Sequence, residues 1–258
     1  MVRPIARQFY EDTLRTLVRA DVPFLVGGAL ALKYFAKIAR DTKDLDILIR
    51  RRDLDRALEV LADHGYDTEL LFPHWLAKAW SGPHFIDIIF DSANGLCKVD
   101  DDWFEHASHC SLWGVPVLVC PAEEMILSKS FVMERERFDG ADVYHLLEAC
   151  CDSLDWSRLI ECFGANWRVL LGHLVFFSFV YPQRRQGVPR WVMDTLLDRA
   201  KREHEPEDVE VCRGTLLSRE QYLIDLRERG YADARVAPWG DVSQDDIRRW
   251  TAAIGTKK

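Results

Sequence analysis

Two aspartates lie one residue apart on a predicted apolar strand. Asp44 and Asp46 open the run Asp-Leu-Asp-Ile-Leu-Ile, residues 44–49. Side chains two residues apart on a strand point to the same face, so both carboxylates are directed at one point. Unpaired charges are costly in apolar surroundings, and paired oxygen ligands suit a hard cation such as Mg²⁺. The spacing therefore predicts a metal site.

A third carboxylate interrupts another apolar strand. Asp87 lies within Phe85–Phe90, where packing alone would favour valine or isoleucine. If this strand lies beside the Asp44 strand, three carboxylates converge, and their repulsion requires bound Mg²⁺ or Mn²⁺. Two such ions can position a nucleoside triphosphate and activate an attacking hydroxyl. The alternative is a lone aspartate at an exposed sheet edge.

A glycine pair precedes the aspartates at a predicted strand-to-helix turn. Gly27 and Gly28 follow Val26, and backbone N–H groups at such a turn attract phosphate. An ordinary tight turn is the alternative. The downstream Asp-x-Asp favours a phosphate-binding turn.

Together these motifs resemble the nucleotidyltransferase superfamily typified by DNA polymerase β. The matching residues are Val26-Gly27-Gly28, Asp44-Leu45-Asp46 and Asp87, and the run Arg40-Asp41-Thr42-Lys43-Asp44-Leu45-Asp46 is similar to a form common in small bacterial members.

The resemblance implies roles for these residues. Asp44 and Asp46 would hold both metals, and Asp87 would ligate the catalytic metal and draw the proton from the acceptor hydroxyl. The triphosphate would lie on the glycine pair. Arg40 and Thr42 would contact the nucleotide, although Arg40 could instead pair with a neighbouring carboxylate.

A later stretch is similar to the toxin-related, AbiEii-like branch of the superfamily. In that branch a lysine on one helix precedes an Arg-x-Asp run on the next, here Lys129, Arg137, Asp139 and Asp142. The resemblance implies that Lys129 reaches the phosphates and that Asp142 belongs to the nucleotide site. Alternatively, Lys129 lies on a solvated helix face. One of Asp139 and Asp142 could orient Lys129, and Asp139 could only cap its helix.

Strands and helices alternate loosely in the first part of the chain. This predicts an α/β (α+β) fold with a mixed sheet flanked by helices. The resemblance implies that residues 1–120 are the nucleotidyltransferase core. A helical domain (121–203) and a linker with a small helical tail (204–258) are predicted to follow. The predicted strands are 23–26, 44–49, 66–72, 85–90 and 115–119.

Composition and charge indicate the cellular compartment of the protein and exclude some classes of partner. The net charge of −8 argues against non-specific nucleic-acid binding. The longest apolar stretch, Val169–Tyr181, is shorter than the roughly twenty residues a bilayer span needs, which predicts a buried helix and no membrane partner. Seven irregularly spaced cysteines predict reduced thiols in the cytoplasm.

These features lead to one predicted reaction and one alternative. The predicted enzyme moves a nucleoside monophosphate from an NTP to an acceptor hydroxyl and releases pyrophosphate. The acceptor could be tRNA or other RNA, a protein or a small molecule. The alternative is an inactive module that binds nucleotide or a partner protein; because all three carboxylates are present, an enzyme is favoured.

Overall fold

The computed structural model describes residues 4–39, 44–203 and 210–253. Within these residues, seven strands form one mixed sheet. The strands are β1 (Leu25–Val26), β2 (Leu45–Leu48), β3 (Asp67–Phe72), β4 (Leu76–Ser81), β5 (His84–Ile89), β6 (Ser108–Leu112) and β7 (Val115–Val119).

The first part of the chain also contains helices, and helices make up most of the later chain. They are α1 (Pro4–Arg19), α2 (Gly28–Ala36), α3 (Leu54–Asp63), α4 (Asp101–Glu105), α5 (Ala122–Ser130), α6 (Gly140–Cys150), α7 (Trp156–Phe163), α8 (Trp167–Val180), α9 (Arg190–Arg202), α10 (Leu223–Glu228) and α11 (Gln244–Ala252). Two short strands, β8 (Val211–Cys212) and β9 (Ala232–Asp233), pair in parallel.

The sheet order is β3-β4-β5-β2-β1-β7-β6. Strand β2 is parallel to β5 and antiparallel to β1, and β1 is parallel to β7. The predicted mixed-sheet α/β fold is therefore confirmed.

The two faces of the sheet differ in chemistry. On one face, apolar residues of β2, β4 and β5 are buried in one cluster with side chains of α1 and α3. On the other, Asp46 lies opposite Asp87, Asp87 opposite Lys78, and Lys78 opposite Glu69. Because opposed residues of paired strands share a face, this row crosses four strands.

Contacts divide the chain into two compact units. One comprises Met1–Pro121 with Asp245–Trp250, and the other comprises Ala122–Gln244 with Thr251–Lys258. The three-segment division made from the sequence stays a prediction.

The prediction that the apolar stretch in α8 is buried is wrong for part of the helix. Trp167 and Phe177 are buried, but Phe176 is 60% exposed and Phe179 is 81% exposed. By length and composition alone, the helical stretch Trp156–Val180 could cross a membrane, with 33% of its most apolar window buried. Core helices of soluble proteins share these properties, so the stretch is weak evidence for a span.

Candidate active site

Three aspartates from separate parts of the sequence meet at the β2–β5 pair. Asp44 directly precedes β2, Asp46 lies within it, and Asp87 lies on β5 opposite Asp46. One carboxylate oxygen from each residue lies within 4.8 Å of the other two. The predicted convergence of side chains is present, and the lone-edge alternative for Asp87 is wrong.

The glycine pair lies against the same carboxylates. The Gly27 N–H donates to the Asp46 carbonyl oxygen at 3.0 Å. Gly28 begins α2 with a φ of +54°, and a Cβ placed on it would lie 1.7 Å from Asp46 Oδ2. The Asp46 carboxylate thus occupies the space that any side chain at position 28 would need. A glycine is required there for this arrangement.

Lys78 of β4 contacts the third carboxylate, although no motif in the sequence predicts this contact. Its Nζ lies 2.6 Å from Asp87 Oδ1, and both side chains are 17% exposed. The same ammonium lies 4.2 Å from the centroid of the Phe85 ring. The residue was missed because β4 was not predicted; a lysine alternating with alanines just before the Asp87 strand is the only signal for it.

Burial gives Asp87 an altered acidity. Desolvation raises the pKa of its carboxyl group, contact with Lys78 lowers it in part, and the charge of Asp44 raises it again, so the pKa lies above its ordinary value. A cation beside Asp87 would favour the ionised form.

Tyr10 of α1 is a second residue that sequence reasoning missed. Its side chain is fully buried, and its ring stacks on Trp113 with centroids 6.3 Å apart. Burial, followed by the charges of Asp44, Asp46 and Asp87, raises the pKa of Tyr10 to about 12. The phenol therefore stays protonated at neutral pH.

Lys129 lies in a separate cluster on α5 and α6. Its Nζ is 2.8 Å from Asp142 Oδ2 and 3.2 Å from Asp139 Oδ2. Its side chain is only 13% exposed, so the solvated-face alternative is wrong. Its assignment to the nucleotide site, with that of Asp142, stays a prediction.

Asp139 occupies the N-cap position of α6, but its side chain makes no capping hydrogen bond. It accepts instead from Arg137 Nε at 2.9 Å and Arg137 Nη2 at 2.8 Å. Burial alone would raise the pKa of Asp139, but Arg137 and Lys129 outweigh it and bring the pKa below its ordinary value. The capping prediction for this side chain is wrong.

Arg40 and Thr42 lie outside the residues that the structure describes. Their predicted roles in nucleotide binding therefore stay predictions.

A family described as "uncharacterised nucleotidyltransferase" matches residues 12–171, more than half of the chain. The chain belongs to this nucleotidyltransferase family. The predicted superfamily is confirmed, and the protein is an NTP-dependent nucleotidyltransferase. The matched region includes the glycine pair, the three aspartates and Lys129.

Several solved structures are distantly similar to this nucleotidyltransferase. The antibiotic-resistance factor ANT(2'')-Ia is 14% identical over 67% of this chain and 96% of that one, with a TM-score of 0.44. The lincosamide antibiotic adenylyltransferase LnuA is 17% identical over 56% and 96%, with a TM-score of 0.40. The Megavirus polyadenylate synthase is 15% identical over 56% and 31%, with a TM-score of 0.38.

At these identities and TM-scores, the neighbours carry no information about the substrate of this nucleotidyltransferase. No curated protein matches the chain in sequence.

The donor set of this nucleotidyltransferase fits a divalent metal. Three carboxylates supply the hard oxygen ligands that Mg²⁺ and Mn²⁺ prefer, and their oxygens lie close enough to share an ion. Burial of Asp87 beside Asp44 is unfavourable without added positive charge. The residues that would hold the ion are Asp44, Asp46 and Asp87.

Proposed function

We propose that this nucleotidyltransferase moves a nucleoside monophosphate from an NTP to an acceptor hydroxyl and releases pyrophosphate. The observation that carries the proposal is the approach of three carboxylate oxygens to within 4.8 Å at the β2–β5 pair. The adjoining Gly27–Gly28 turn supports it, since α2 begins there with its N-terminus beside Asp46.

The bound metal would be Mg²⁺ or Mn²⁺, held by Asp44, Asp46 and Asp87. Such an ion, when bound, offsets phosphate charge and lowers the pKa of a coordinated hydroxyl. The protein's own residues position the reactants. The Gly27–Gly28 turn would bind the triphosphate through the backbone N–H groups and the dipole at the start of α2, since the Gly27 N–H itself already donates to the Asp46 carbonyl oxygen.

The proposed reaction replaces one phosphorus–oxygen bond with another. The acceptor oxygen forms a bond to the α-phosphorus, the bond from that phosphorus to the bridging oxygen of the β-phosphate breaks, and pyrophosphate leaves. The hydroxyl proton passes to Asp87.

By resemblance, we also assign Arg40, Thr42, Lys129 and Asp142 to nucleotide binding. Because Lys129 already contacts two carboxylates, a phosphate would have to share its ammonium with them. We also propose that the protein belongs to the toxin-related, AbiEii-like branch and that it acts in the cytoplasm. The proposed acceptor is tRNA or other RNA, a protein or a small molecule.

A labelling experiment tests the reaction. The protein is incubated with each α-labelled NTP and Mg²⁺, together with total RNA, soluble protein or small hydroxyl compounds. We expect label to move to one class of acceptor. Asp46→Ala should reduce transfer by at least a hundredfold, since electrostatic stabilisation of transferred phosphate is a large part of such catalysis.

The matched control is Asp55→Ala, which removes an aspartate whose side chain is 81% exposed on α3. It should transfer label at the wild-type rate. Undiminished transfer by Asp46→Ala would contradict the proposed mechanism. NTP binding without transfer to any acceptor would favour the non-catalytic module instead.

A further inference from the structure

The strand order gives the proposed active site a direction across the sheet. The Gly27–Gly28 turn directly follows β1, which pairs with β2. From β2 the sheet continues through β5 and β4 to β3, its edge strand. A path from the glycine turn past Asp46 of β2 and Asp87 of β5 therefore leads onto β4 and β3.

This direction assigns the two substrates to opposite sides of the three aspartates. In phosphoryl transfer, the attacking and leaving oxygens lie roughly in line on either side of the phosphorus. With the triphosphate at the Gly27–Gly28 turn, pyrophosphate leaves on the β1 side. The acceptor hydroxyl then approaches from the β4 side, where Asp87 would take its proton.

Four side chains form the surface next to Asp87 on that side, here called the β3–β4 surface. They are Asp67 and Glu69 of β3 and Lys78 and Trp80 of β4. Lys78 lies opposite both Asp87 and Glu69, and Trp80 lies opposite Asp67, so the four side chains share the sheet face of Asp87. Asp67 and Glu69 are exposed, and Trp80 is partly exposed.

The β3–β4 surface has an excess of negative charge. Within β3, β4 and β5, which the structure describes in full, Lys78 is the one lysine or arginine, and its ammonium already contacts Asp87 Oδ1 at 2.6 Å. No ion pair with another described residue involves Asp67 or Glu69. Two such carboxylates attract cations, and they repel the phosphates on which binding of RNA depends.

The surface also sets the size of a matching acceptor. Neighbouring strands lie about 4.8 Å apart, so β3 lies roughly 10 Å from β5. An ammonium near β3 would meet the two carboxylates and could also gain cation–π attraction from the Trp80 ring. A compound with a hydroxyl at Asp87 and amines roughly 10 Å away is a small molecule.

We propose that the β3–β4 surface binds the acceptor, and that the acceptor is a small hydroxyl compound carrying protonated amines. Glu69 and Asp67 then determine specificity by pairing with the amines. This inference rests on the proposed function, because the direction of attack is taken from the proposed reaction.

A matched pair of disaccharides tests the inference in the wild-type protein. The glucosamine disaccharide obtained from chitosan carries amines where cellobiose carries hydroxyls. Binding is measured by calorimetry with Mg²⁺ and a saturating α,β-methylene NTP, in slightly acidic buffer that keeps the amines protonated. We expect the diamine to bind at least tenfold more tightly than cellobiose. Equal affinities, or tighter binding of cellobiose, would overturn the inference.

Charge reversal at position 69 gives the second test. Glu69→Lys should weaken diamine binding by about tenfold, because it replaces an ion pair with repulsion, and it should change cellobiose binding by less than about twofold. Glu69→Asp keeps the charge and should retain the preference for the diamine. Damage to the fold would weaken both sugars equally, so an equal loss in Glu69→Lys overturns the inference. Asp55→Lys makes the same reversal at a side chain that is 81% exposed on α3 and should bind both sugars like the wild type.

The labelling experiment with α-labelled NTP separates the possible failures. Label that moves to RNA or protein, and that is lost in Asp46→Ala, would overturn the amine acceptor and leave the proposed function standing. Transfer that is undiminished in Asp46→Ala would contradict the proposed function, and the assignment of the β3–β4 surface would fall with it.

Discussion

The side chain of Asp46 packs directly against the backbone of Gly28 in the candidate site. The carboxylate lies where the Cβ of any other residue at position 28 would be, and the backbone there has a φ of +54°. Two independent features, a positive φ and a close side chain, therefore require the same glycine. Both act on a proposed metal ligand, so the glycine supports the site as well as the turn.

Gly28→Ala should abolish most activity. The new methyl group would displace the Asp46 carboxylate, and misplacement of a catalytic group by about 1 Å costs on the order of a hundredfold in rate. Label transfer from an NTP measures the effect.

Gly65→Ala is the matched control, because Gly65 also has a positive φ, of +83°, but a Cβ added there would meet nothing within 4 Å. It should lose roughly 1–2 kcal/mol of stability to the left-handed backbone and keep its activity. Equal activity in the two variants would contradict this account of Gly28.

Tyr10 should report the charge of the acidic cluster. Its folded pKa of about 12 lies above the ordinary value of 10.0, so between these values the folded chain keeps a proton that the unfolded chain loses. The stability due to this proton is fully present below pH 10 and is lost as the pH rises towards 12. The free energy of unfolding of the wild type should therefore fall relative to that of Tyr10→Phe over this range, as measured by denaturant titration.

Asp44→Asn should also lower the pKa of Tyr10, since Asp44 is the largest charged contributor to its shift. Ultraviolet titration of the phenol, corrected with the matching Tyr10→Phe protein, measures this pKa. An unchanged pKa would contradict a contribution of the Asp44 charge to the acidity of Tyr10.

Among the strands, the sequence pattern was sufficient to predict β2 and β5 but not to predict β4. Alternation of aspartates with apolar residues set which face of β2 is buried, and a slip of one residue would turn Asp46 into the core. In β4, Leu76, Ala77 and Ala79 are buried, and alanine has a low strand propensity. Pairing with β3 and β5 determines this strand, which a single sequence does not show. Lys78 was missed for that reason.

The strand β6 was missed for a related reason. Ser108–Leu112 is polar and pairs with β7 at the edge of the sheet. Edge strands often lack a continuous apolar pattern, because one side of the strand remains open to solvent. Tyr10 shows the same limit for helices, because a helical pattern does not show that this residue of α1 lies close enough to the three aspartates to feel their charges.

The Lys129 cluster should contribute strongly to the stability of its helices. Lys129→Met leaves Asp139 and Asp142 without the ammonium, and breaking a buried ion pair costs about 3–5 kcal/mol. Denaturant unfolding measures the loss. Lys201→Met, at an exposed pair with Asp198, should change stability by less than about 0.5 kcal/mol. Equal losses in the two variants would contradict the buried role of Lys129.

Acid should weaken the same cluster in a defined direction. The folded pKa of Asp139 is lowered, so its contribution is present above the ordinary carboxyl pKa and is lost as the pH falls through the lower folded value. The stability gap between wild type and Asp139→Asn should therefore be constant near neutral pH and close in acid. Unfolding curves at a series of pH values measure the gap; a gap that widens in acid would contradict the lowered pKa.

At the scale of the whole molecule, ligand binding should stabilise the fold. A ligand at a hundred times its Kd adds about 2.7 kcal/mol to the free energy of unfolding. For a chain of this size, that corresponds to an increase in Tm of roughly 5–10 °C. NTP with Mg²⁺ should produce this increase in the wild type and not in Asp46→Asn. Equal Tm increases in both proteins would show that nucleotide binds without the triad.

The most direct test of the central claim is a crystal structure with Mn²⁺ and a non-hydrolysable NTP. Anomalous scattering distinguishes Mn²⁺ from the lighter atoms of the protein and from water. We predict an anomalous peak at bonding distance from carboxylate oxygens of Asp44, Asp46 and Asp87, with the triphosphate at the Gly27–Gly28 turn. Bound nucleotide with no anomalous peak at these three aspartates would contradict the account.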